Sequence, residues 1–498
     1  MYKAKEKILW FAVLSRGTVL LLQMIFNAIC PDHDADAFRL PVDPTDKPSF
    51  LDYIVTFILG GLTRWDAQYY IHIARYGYTY ENTLAFFPLF PLAMRHAAMF
   101  LHVEPPILIF NNTIVIFGFV INFLCFIKAS LIMYDLSEVI FKNPKVAYRA
   151  AILFCINPAS VFFSALYSES MFAYLTFYSM LESVRNNPCV FLPISLSTLV
   201  RSNGLVNVGF PVFIWFRNLL VTSIPNYVLE NKHYRSNKRS LVFNSRHLLI
   251  SFAQIISLII FALLPFFLLQ VYSYTRFCKI EYNVTALPYH VQQYAREKNL
   301  VLPGEEELEW CNKQIPVAYS HIQNKYWNVG FMRYYEFKQI PNFILALPVL
   351  YLMSRCCIEY LSEHKSKFLT LEFYTGVKNQ ERACVEEYPL DMFVFVVHGS
   401  FLTLFCIFFV HIQVSTRLLC SASPLLYWYC ALITVSGDES SENVRKIEYE
   451  SQENLCSRWK VFLFTQKVYS FRVKLIYRYF IGYFIVGCFM FSNFLPWT

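Results

Sequence analysis

The chain has 498 residues, of which 56% are hydrophobic, 18% are aromatic and only 16% are charged. Soluble domains carry about 25% charged residues, so this composition excludes an ordinary soluble protein and indicates a chain that crosses a membrane several times. The net charge of +8 does not indicate nucleic-acid binding, because no basic stripe with interleaved aromatic residues lies outside the apolar runs, and basic loops at a membrane face account for it.

A membrane span needs about 20 apolar residues to cross about 30 Å of hydrocarbon. The predicted spans are residues 8–29, 107–133, 148–165, 169–184, 188–201, 203–220, 247–272, 341–360, 389–411, 417–436 and 476–494. No linker or low-complexity tract sets a soluble domain apart. The sequence therefore predicts an all-α polytopic membrane protein with about eleven transmembrane helices, built as a single membrane-embedded unit over residues 1–498.

The charges around the first span predict its orientation. Three lysines precede it and three aspartates follow it: Lys3, Lys5, Lys7, Asp32, Asp34 and Asp36. By the positive-inside rule the N-terminus is then cytosolic. A cleaved signal peptide is the alternative, but the run is longer than a signal-peptide core and no A-x-A-like cleavage site follows it.

Counting spans from this end predicts the side of each long loop. Loops 30–106 and 273–340 are predicted to be lumenal, and loops 217–246 and 437–475 cytosolic. The 217–246 loop holds six basic residues and a single acidic one, Glu230, which independently favours the cytosol. Asn283-Val284-Thr285 is a glycosylation sequon in the second predicted lumenal loop, consistent with that orientation.

Residues 64–95 follow the first span but are too polar and too rich in proline to be another one. Asp66 lies there with Arg64 and His72 near it, and Trp65 and Tyr69 are aromatic residues suited to a membrane interface. A single carboxylate held at this position is what a general base needs when the acceptor is a hydroxyl and the donor carries a good leaving group. The alternative is that Asp66 caps a helix or forms a surface ion pair with Arg64.

The fourteen cysteines are scattered and show no paired spacing of the kind a zinc site needs, so the sequence does not support a metal site. Cys278 and Cys311 share the second predicted lumenal loop, where oxidising conditions allow a disulfide. Their spacing alone does not establish that bond.

Several blocks together resemble one family. The run RWDAQYY at residues 64–70, continued by IARYGY at 73–78 and AFFPLFP at 85–91, closely resembles the PIG-V family of glycosylphosphatidylinositol (GPI) mannosyltransferases. The later blocks of the family find counterparts in the same order: NPASVFFS at 157–164, YSES at 167–170, RSNG at 201–204, YWNVGF at 326–331, QIPNF at 339–343 and HIQVSTR at 411–417. The resemblance covers nearly the whole chain.

This resemblance implies a GT-C type glycosyltransferase in the endoplasmic reticulum membrane. Such an enzyme takes mannose from dolichol-phosphate-mannose in the lumen, and PIG-V proteins add the second mannose, in α1,6 linkage, to the GPI precursor. The GT-C pattern places a catalytic aspartate in the first lumenal loop, which corresponds to Asp66. It implies no cofactor, and it leaves open whether a small membrane subunit is needed.

The implied donor is β-linked and the product α-linked, so one direct displacement with one base suffices. The lipid-phosphate leaving group needs cations, and the candidates are Arg64, Arg201, Arg333, Lys338, His411 and Arg417, with Gln413 beside the last two. Arg201 and Arg417 lie at or inside apolar runs, where a charge is costly; snorkelling at a span end is the alternative.

Two further acidic segments leave alternatives open. Glu169 lies between short apolar pieces and is either a hydroxyl-binding carboxylate or a turn residue. Asp32-His33-Asp34-Ala35-Asp36 resembles a DxD motif but has no neighbouring glycine-rich phosphate loop, so we interpret it as a solvated run that ends the first span, with a calcium site as the lesser alternative.

Two other classes of protein remain as alternatives. A secondary transporter would also have about eleven spans, but transporters place charges near the middle of paired, interrupted spans, whereas these polar motifs gather in the loops after spans one and seven. A noncatalytic subunit of the same pathway is disfavoured by the Arg64-Trp65-Asp66 run.

Overall fold

The computed structural model describes residues 2–101, 107–219, 238–279, 287–304, 308–366, 388–439 and 470–497. In these ranges the chain forms seventeen α-helices and no β-strand, which confirms the predicted all-helical class. The helices are α1 Tyr2–Ile29, α2 Phe50–Leu59, α3 Ala67–Tyr76, α4 Leu89–Leu101, α5 Phe110–Phe141, α6 Pro144–Cys155, α7 Glu169–Val184, α8 Phe191–Val200, α9 Gly209–Asn218, α10 Lys238–Phe277, α11 Tyr289–Glu297, α12 Ala318–Trp327, α13 Ile340–Glu363, α14 Phe393–Phe408, α15 Ser415–Ala422, α16 Leu425–Glu439 and α17 Phe471–Ser492.

Six helical segments in the described ranges are long and apolar enough to cross a membrane. They are Lys3–Ile29, Phe110–Phe141, Leu249–Phe277, Phe337–Glu363, Leu390–Phe408 and Phe471–Ser492. A seventh span results if α15 and the start of α16, which meet at an angle of 74°, are one broken span. The protein is therefore a multi-pass membrane protein, and the predicted number of about eleven spans is not confirmed.

The five remaining predicted spans form shorter helices. Residues 148–165 are interrupted because α6 ends at Cys155, just before Asn157-Pro158, and proline disfavours helix in the residue before it. Residues 203–220 begin with a 3₁₀ segment, Ser202–Val208, before α9, and residues 417–436 contain the bend between α15 and α16. Residues 169–184 and 188–201 form helices of 16 and 10 residues, too short for the hydrocarbon thickness.

Of the shorter helices, α6, α7 and α16 lie in the interior of the bundle. Helix α5 packs against α6 and α7, α16 packs against α6, and α1 packs against α5 and α17. Their shared core is aromatic, with rings of Phe126, Phe154, Phe163 and Trp428 that are fully buried. The 12 residues of α6 and the 16 of α7 are thus buried largely by protein, which explains why their composition resembles that of a span.

Loops 30–106 and 273–340 lie against each other. The carboxylate of Glu81 in the first loop is fully buried by residues of the second: it accepts the indole N–H of Trp310 at 3.0 Å, the ammonium of Lys325 at 2.8 Å and the hydroxyl of Tyr326 at 2.6 Å. We call these four residues the Glu81 clasp. Cys278 and Cys311 form the disulfide that the sequence allowed, and both adjoin the apolar cluster around Trp310.

The predicted topology lies partly outside the described residues. The sequon at Asn283 is outside them, as is most of the predicted cytosolic loops 217–246 and 437–475.

Candidate active site

Helix α3 places Asp66 at its first turn. Asp66 occupies the N-cap position, but its side chain makes no capping hydrogen bond, so the carboxylate is directed elsewhere. The preceding residue, Trp65, has a φ of 57°, in the left-handed region that costs a bulky residue on the order of 1–3 kcal/mol. Because of this turn in the backbone, the side chains of Arg64 and Asp66 point in different directions.

The partner of Asp66 is Arg417, 351 positions away in sequence. Arg417 Nη1 lies 2.9 Å from Asp66 Oδ2 and 3.8 Å from Glu169 Oε1. Arg201 is bonded to the same Oε1 atom of Glu169. We call Asp66, Glu169, Arg201 and Arg417 the ion cluster; its two carboxylates and two guanidinium groups balance in charge.

Burial differs among the members of the ion cluster. The side chain of Glu169 is completely buried, those of Arg417 and Arg201 are 16% and 18% exposed, and that of Asp66 is 27% exposed. Asp66 is thus the most accessible member. The guanidinium groups are held by charge-assisted hydrogen bonds, which fix both position and orientation.

Residues 162–169 form one wall of the ion cluster. The backbone N–H of Asp66 donates to the hydroxyl of Tyr167 at 3.0 Å, and the hydroxyls of Tyr70 and Ser168 lie 2.8 Å apart. The guanidinium of Arg417 lies over the rings of Tyr167 and Phe162, 5.3 and 5.4 Å from their centroids. These aromatic faces attract the cation and hold it beside Asp66.

Two buried polar side-chain atoms of this region have no hydrogen-bond partner among the described residues. They are Oε2 of Glu169 and Nε1 of Trp65, the residue that precedes Asp66. Buried polar atoms in proteins are nearly always bonded, to protein or to ordered water. Both atoms therefore have bonding capacity that a polar ligand can use, one as an acceptor and one as a donor.

Arg64 does not pair with Asp66, contrary to the alternative that the sequence left open. Its guanidinium lies 2.9 Å from Asp32 Oδ2 and donates to the side-chain oxygen of Asn27 at 2.8 Å and to the carbonyl of Ser492 at 3.2 Å. The left-handed φ of Trp65 turns the chain between Arg64 and Asp66. Arg64 thus binds this loop to α1 through Asn27 and to α17 through Ser492.

Tyr69 and His72 are packed within the first loop. The ring of Tyr69 is stacked between Phe38 and Phe86, with centroids 4.2 and 4.5 Å away, so both of its faces are covered. His72 is fully buried, and its Nε2 lies 2.6 Å from the hydroxyl of Thr79. Burial lowers the pKa of His72 to about 3, so its ring is neutral at pH 7.

The other predicted binding residues make polar contacts apart from the ion cluster. His411 stacks on Tyr334 with centroids 4.3 Å apart, and the Tyr334 hydroxyl donates to Gln413 Oε1 at 3.2 Å. Arg333 is bonded to Asn324, and Lys338 forms an exposed ion pair with Glu336 at 2.7 Å. Of the six predicted phosphate-binding cations, the structure brings Arg201 and Arg417 together with Asp66.

Sequence reasoning missed Tyr70, Tyr167 and Ser168 as parts of this arrangement. All three lie inside the recognised blocks, so the signal was present, but the side chains meet only because α3 packs beside residues 162–169. Within the described ranges no three His, Cys, Asp or Glu side chains converge as a metal site would require, and Asp32 of the acidic run pairs with Arg64.

Comparison with known proteins identifies the family. The family model for the mannosyltransferase PIG-V matches residues 4–498. The chain belongs to the PIG-V mannosyltransferase family. Among its PIG-V relatives, the GPI alpha-1,6-mannosyltransferase 2 of Homo sapiens is 36% identical and that of Cricetulus griseus 35%, each over 99% of both chains. The GPI mannosyltransferase 2 of Drosophila melanogaster is 33% identical over 99% of this chain and 100% of its own.

Among solved structures, this PIG-V chain is similar to the oligosaccharyltransferase AglB of Archaeoglobus fulgidus, in complex with an inhibitory peptide and a dolichol-phosphate. The TM-score is 0.40 and the identity 10%, over 97% of this chain and 56% of the other. A second structure of the Archaeoglobus fulgidus enzyme, tethered to an acceptor peptide, gives a TM-score of 0.43 at 12% identity.

Proposed function

We propose that this PIG-V protein is a GPI mannosyltransferase of the endoplasmic reticulum. It transfers the second mannose, in α1,6 linkage, from dolichol-phosphate-mannose to the GPI precursor on the lumenal side of the membrane. Membership of the PIG-V family and the names of relatives that match over 99% of the chain support the reaction class. The observation that carries the mechanism is the pairing of Asp66 with Arg417 beside Arg201 and Glu169.

The proposed reaction is a single displacement with inversion. The acceptor hydroxyl oxygen forms a bond to the anomeric carbon of mannose while the bond from that carbon to the phosphate oxygen breaks. Asp66 takes the hydroxyl proton, and dolichyl phosphate leaves with the bonding electron pair. Asp66 suits the role of base because it is the most exposed member of the ion cluster and its backbone is fixed by Tyr167.

The leaving phosphate gains negative charge as the bond breaks. Arg201 and Arg417 are the cations next to Asp66, so we assign stabilisation of this charge to them. Both already share Oε1 of Glu169, which orients them before the donor arrives. Preorganised groups cost little reorganisation during the reaction, so we assign Glu169 the role of positioning both guanidinium groups.

The other predicted residues take outer roles in this proposal. Trp65 offers its indole N–H to a substrate hydroxyl or phosphate oxygen, and Tyr69 offers only its hydroxyl because both ring faces are covered. His411 and Gln413 remain candidate substrate contacts, and both contact Tyr334. Arg417 follows Gln413 by four positions, at the start of α15.

The test is Asp66→Asn, with Asp34→Asn as the matched control in the same loop, because the Asp34 side chain is fully exposed. Loss of a general base costs about a hundredfold to ten-thousandfold in rate. We expect Asp66→Asn to be made in normal amount but to leave GPI-anchored proteins absent from the surface of cells that lack their own enzyme, and Asp34→Asn to restore them. Full restoration by Asp66→Asn would rule out Asp66 as the base.

A further inference from the structure

Arg16 is a fully buried guanidinium at the middle of the span Lys3–Ile29. A charged side chain within a membrane is costly and is retained where it has a specific task. No carboxylate of the described residues forms an ion pair with Arg16, so its charge is compensated in another way.

The compensation comes from oxygen atoms, four of them in residues 155–164 and one in the adjacent Ser15. Two of the acceptors are backbone carbonyls and the others are serine hydroxyls: the carbonyl and hydroxyl of Ser160 at 2.7 and 2.9 Å, the carbonyl of Cys155 at 3.1 Å, and the hydroxyls of Ser164 at 3.1 Å and Ser15 at 2.9 Å. The ring of Phe126 lies 3.8 Å below the guanidinium carbon. Nε of Arg16 has no hydrogen-bond partner among the described residues.

These contacts explain how residues 155–164 keep their irregular path inside the bundle. Helix α6 ends at Cys155 and leaves carbonyl groups without helical partners, next to the break at Pro158. A cation at the C-terminal end of a helix is favourable because the carbonyl ends carry partial negative charge. Arg16, with the hydroxyl of Ser15, therefore satisfies the last carbonyl of α6, that of Cys155, and Arg16 also bonds the carbonyl of Ser160 where water is excluded.

The same segment leads directly into the ion cluster. Tyr167 and Glu169 follow Ser164 by three and five positions, and the chain between them is further held by Asn122, whose amide donates to the carbonyls of Ala165 and Tyr167 at 2.6 and 2.8 Å. Tyr167 in turn accepts the backbone N–H of Asp66. A shift of residues 155–164 would thus move the groups that hold Asp66 and Arg417.

We propose that Arg16 is a positioning residue for mannosyl transfer: it fixes residues 155–164 so that Tyr167 and Glu169 hold Asp66 and Arg417 in reactive geometry. This inference rests on the proposed function, in which Asp66 is the base. Arg16 itself touches neither Asp66 nor Arg417 through any of its hydrogen bonds in the described structure.

The experiment compares Arg16→Met and Arg16→Lys with Arg149→Met. Arg149 is a matched control because it is also a buried arginine, 6% exposed, but its guanidinium donates to the hydroxyl of Tyr477 on α17.

The kcat and KM of purified, monodisperse protein are measured with dolichol-phosphate-mannose and the one-mannose GPI intermediate. We expect Arg16→Met to lower kcat at least about tenfold with KM within about threefold, since small misplacements of reacting groups act on turnover. Arg16→Lys should recover part of the loss, and Arg149→Met should stay within about threefold of wild type.

A double-mutant cycle distinguishes positioning from general support of the fold. Tyr167→Phe removes the hydroxyl that accepts the Asp66 N–H, so it acts at the far end of the same chain of contacts. If Arg16 acts through this contact, the double variant Arg16→Lys with Tyr167→Phe should be within about twofold of the slower single variant. If Arg16→Met does not fold, Arg16→Lys and Ser164→Ala, which removes one acceptor of Arg16, carry the test.

Three results would overturn this role for Arg16: wild-type kcat in its variants, an equal kcat loss in Arg149→Met, or losses that multiply with that of Tyr167→Phe. Asp66→Asn in the same series separates the two proposals. If the wild-type protein transfers no mannose, the proposed function fails, and if Asp66→Asn keeps wild-type turnover, only the role of Asp66 as the base, and with it that of Arg16, fails. If Asp66→Asn is inactive while the Arg16 variants turn over normally, only the role of Arg16 fails.

Discussion

Glu169 and Glu81 are both completely buried carboxylates, but their hydrogen bonds are completed differently. Both oxygens of Glu81 are occupied, Oε1 by Trp310 and Oε2 by Lys325 and Tyr326. In Glu169 the two arginines share Oε1, and Oε2 has no hydrogen-bond partner in the part of the chain that the structure describes. The two carboxylates are thus equally buried, but only that of Glu81 has hydrogen bonds to both of its oxygens.

The difference indicates what each glutamate does. A buried polar group with all its bonds made stabilises one arrangement of the chain, and Glu81 accordingly holds the two long loops together. A buried group with spare capacity costs folding free energy and is retained where a ligand completes it. The Glu81 clasp is therefore complete as a structural contact, whereas the ion cluster has the free bonding capacity that its proposed role in substrate binding requires.

Of the changes that distinguish these two roles, Glu169→Gln should lower kcat the most. This substitution keeps the size of the side chain but removes the charge that orients Arg201 and Arg417. We expect kcat to fall about a hundredfold, as for loss of a preorganised electrostatic group, with little change in the amount of folded protein. Kinetics of purified protein measure this effect. A kcat within threefold of wild type would contradict a positioning role for Glu169.

Glu81→Gln should have the opposite profile. Removing one member of a buried ion pair costs about 3–5 kcal/mol, and we expect the lower end because Lys325 is 41% exposed and can be solvated. The melting temperature should fall, while kcat per folded molecule at low temperature stays near wild type. If the melting temperature is unchanged and kcat falls as in Glu169→Gln, Glu81 belongs to the reaction and not to the fold.

Removing the disulfide between Cys278 and Cys311 should destabilise the contact between the two long loops less than Glu81→Gln does. Cys278 and Cys311 are 33 positions apart, and a cross-link of this length stabilises by about 2–4 kcal/mol. We expect about 2 kcal/mol from the double change Cys278→Ser with Cys311→Ser, because Glu81 still holds the loop. Thermal unfolding under non-reducing conditions measures it. A loss of activity without loss of stability would show that the disulfide adjusts the site directly.

The ion cluster also shows how much of the site the sequence could predict. Glu169, Arg201 and Arg417 are predictable from local pattern, because a charge in or beside an apolar run is conspicuous, and Asp66 from its place in the first predicted lumenal loop and the resemblance to the PIG-V family. Their pairing was not predictable, since Asp66 and Arg417 are 351 positions apart and meet only through helix packing. Arg64 illustrates the converse: adjacency suggests an ion pair with Asp66, but across the left-handed φ of Trp65 the guanidinium pairs with Asp32 instead.

The fold shows a similar limit. The six long spans were predicted because length and apolar content together define them. Residues 148–165 and 169–184 are equally apolar but are buried by other helices, and composition cannot distinguish burial in protein from burial in lipid. The clasp was missed for the reason that Glu81, Trp310 and Lys325 carry no pattern that links them before the loops meet.

The smallest expected effect is that of removing divalent metals. Enzymes that use nucleotide sugars often neutralise the leaving group with a metal ion, whereas the ion cluster supplies two guanidinium groups next to Asp66. We therefore expect purified protein treated with EDTA to keep its transfer rate within about twofold, measured with dolichol-phosphate-mannose as donor. The Glu81 clasp, bonded by protein groups alone, should likewise keep its melting temperature.

A transfer rate that EDTA abolishes and magnesium or manganese restores would contradict this expectation. The acidic run with Asp32, Asp34 and Asp36 would then be the first place to look for ligands, although Asp32 would have to exchange its ion pair with Arg64 for the metal. Asp34→Asn and Asp36→Asn would decide the matter, because a ligand role predicts a higher metal concentration for half-maximal rate. If the rate persists without metal, Arg417→Lys becomes the sharper test, since lysine keeps the charge but not the rigid guanidinium whose Nη1 lies near both Asp66 and Glu169.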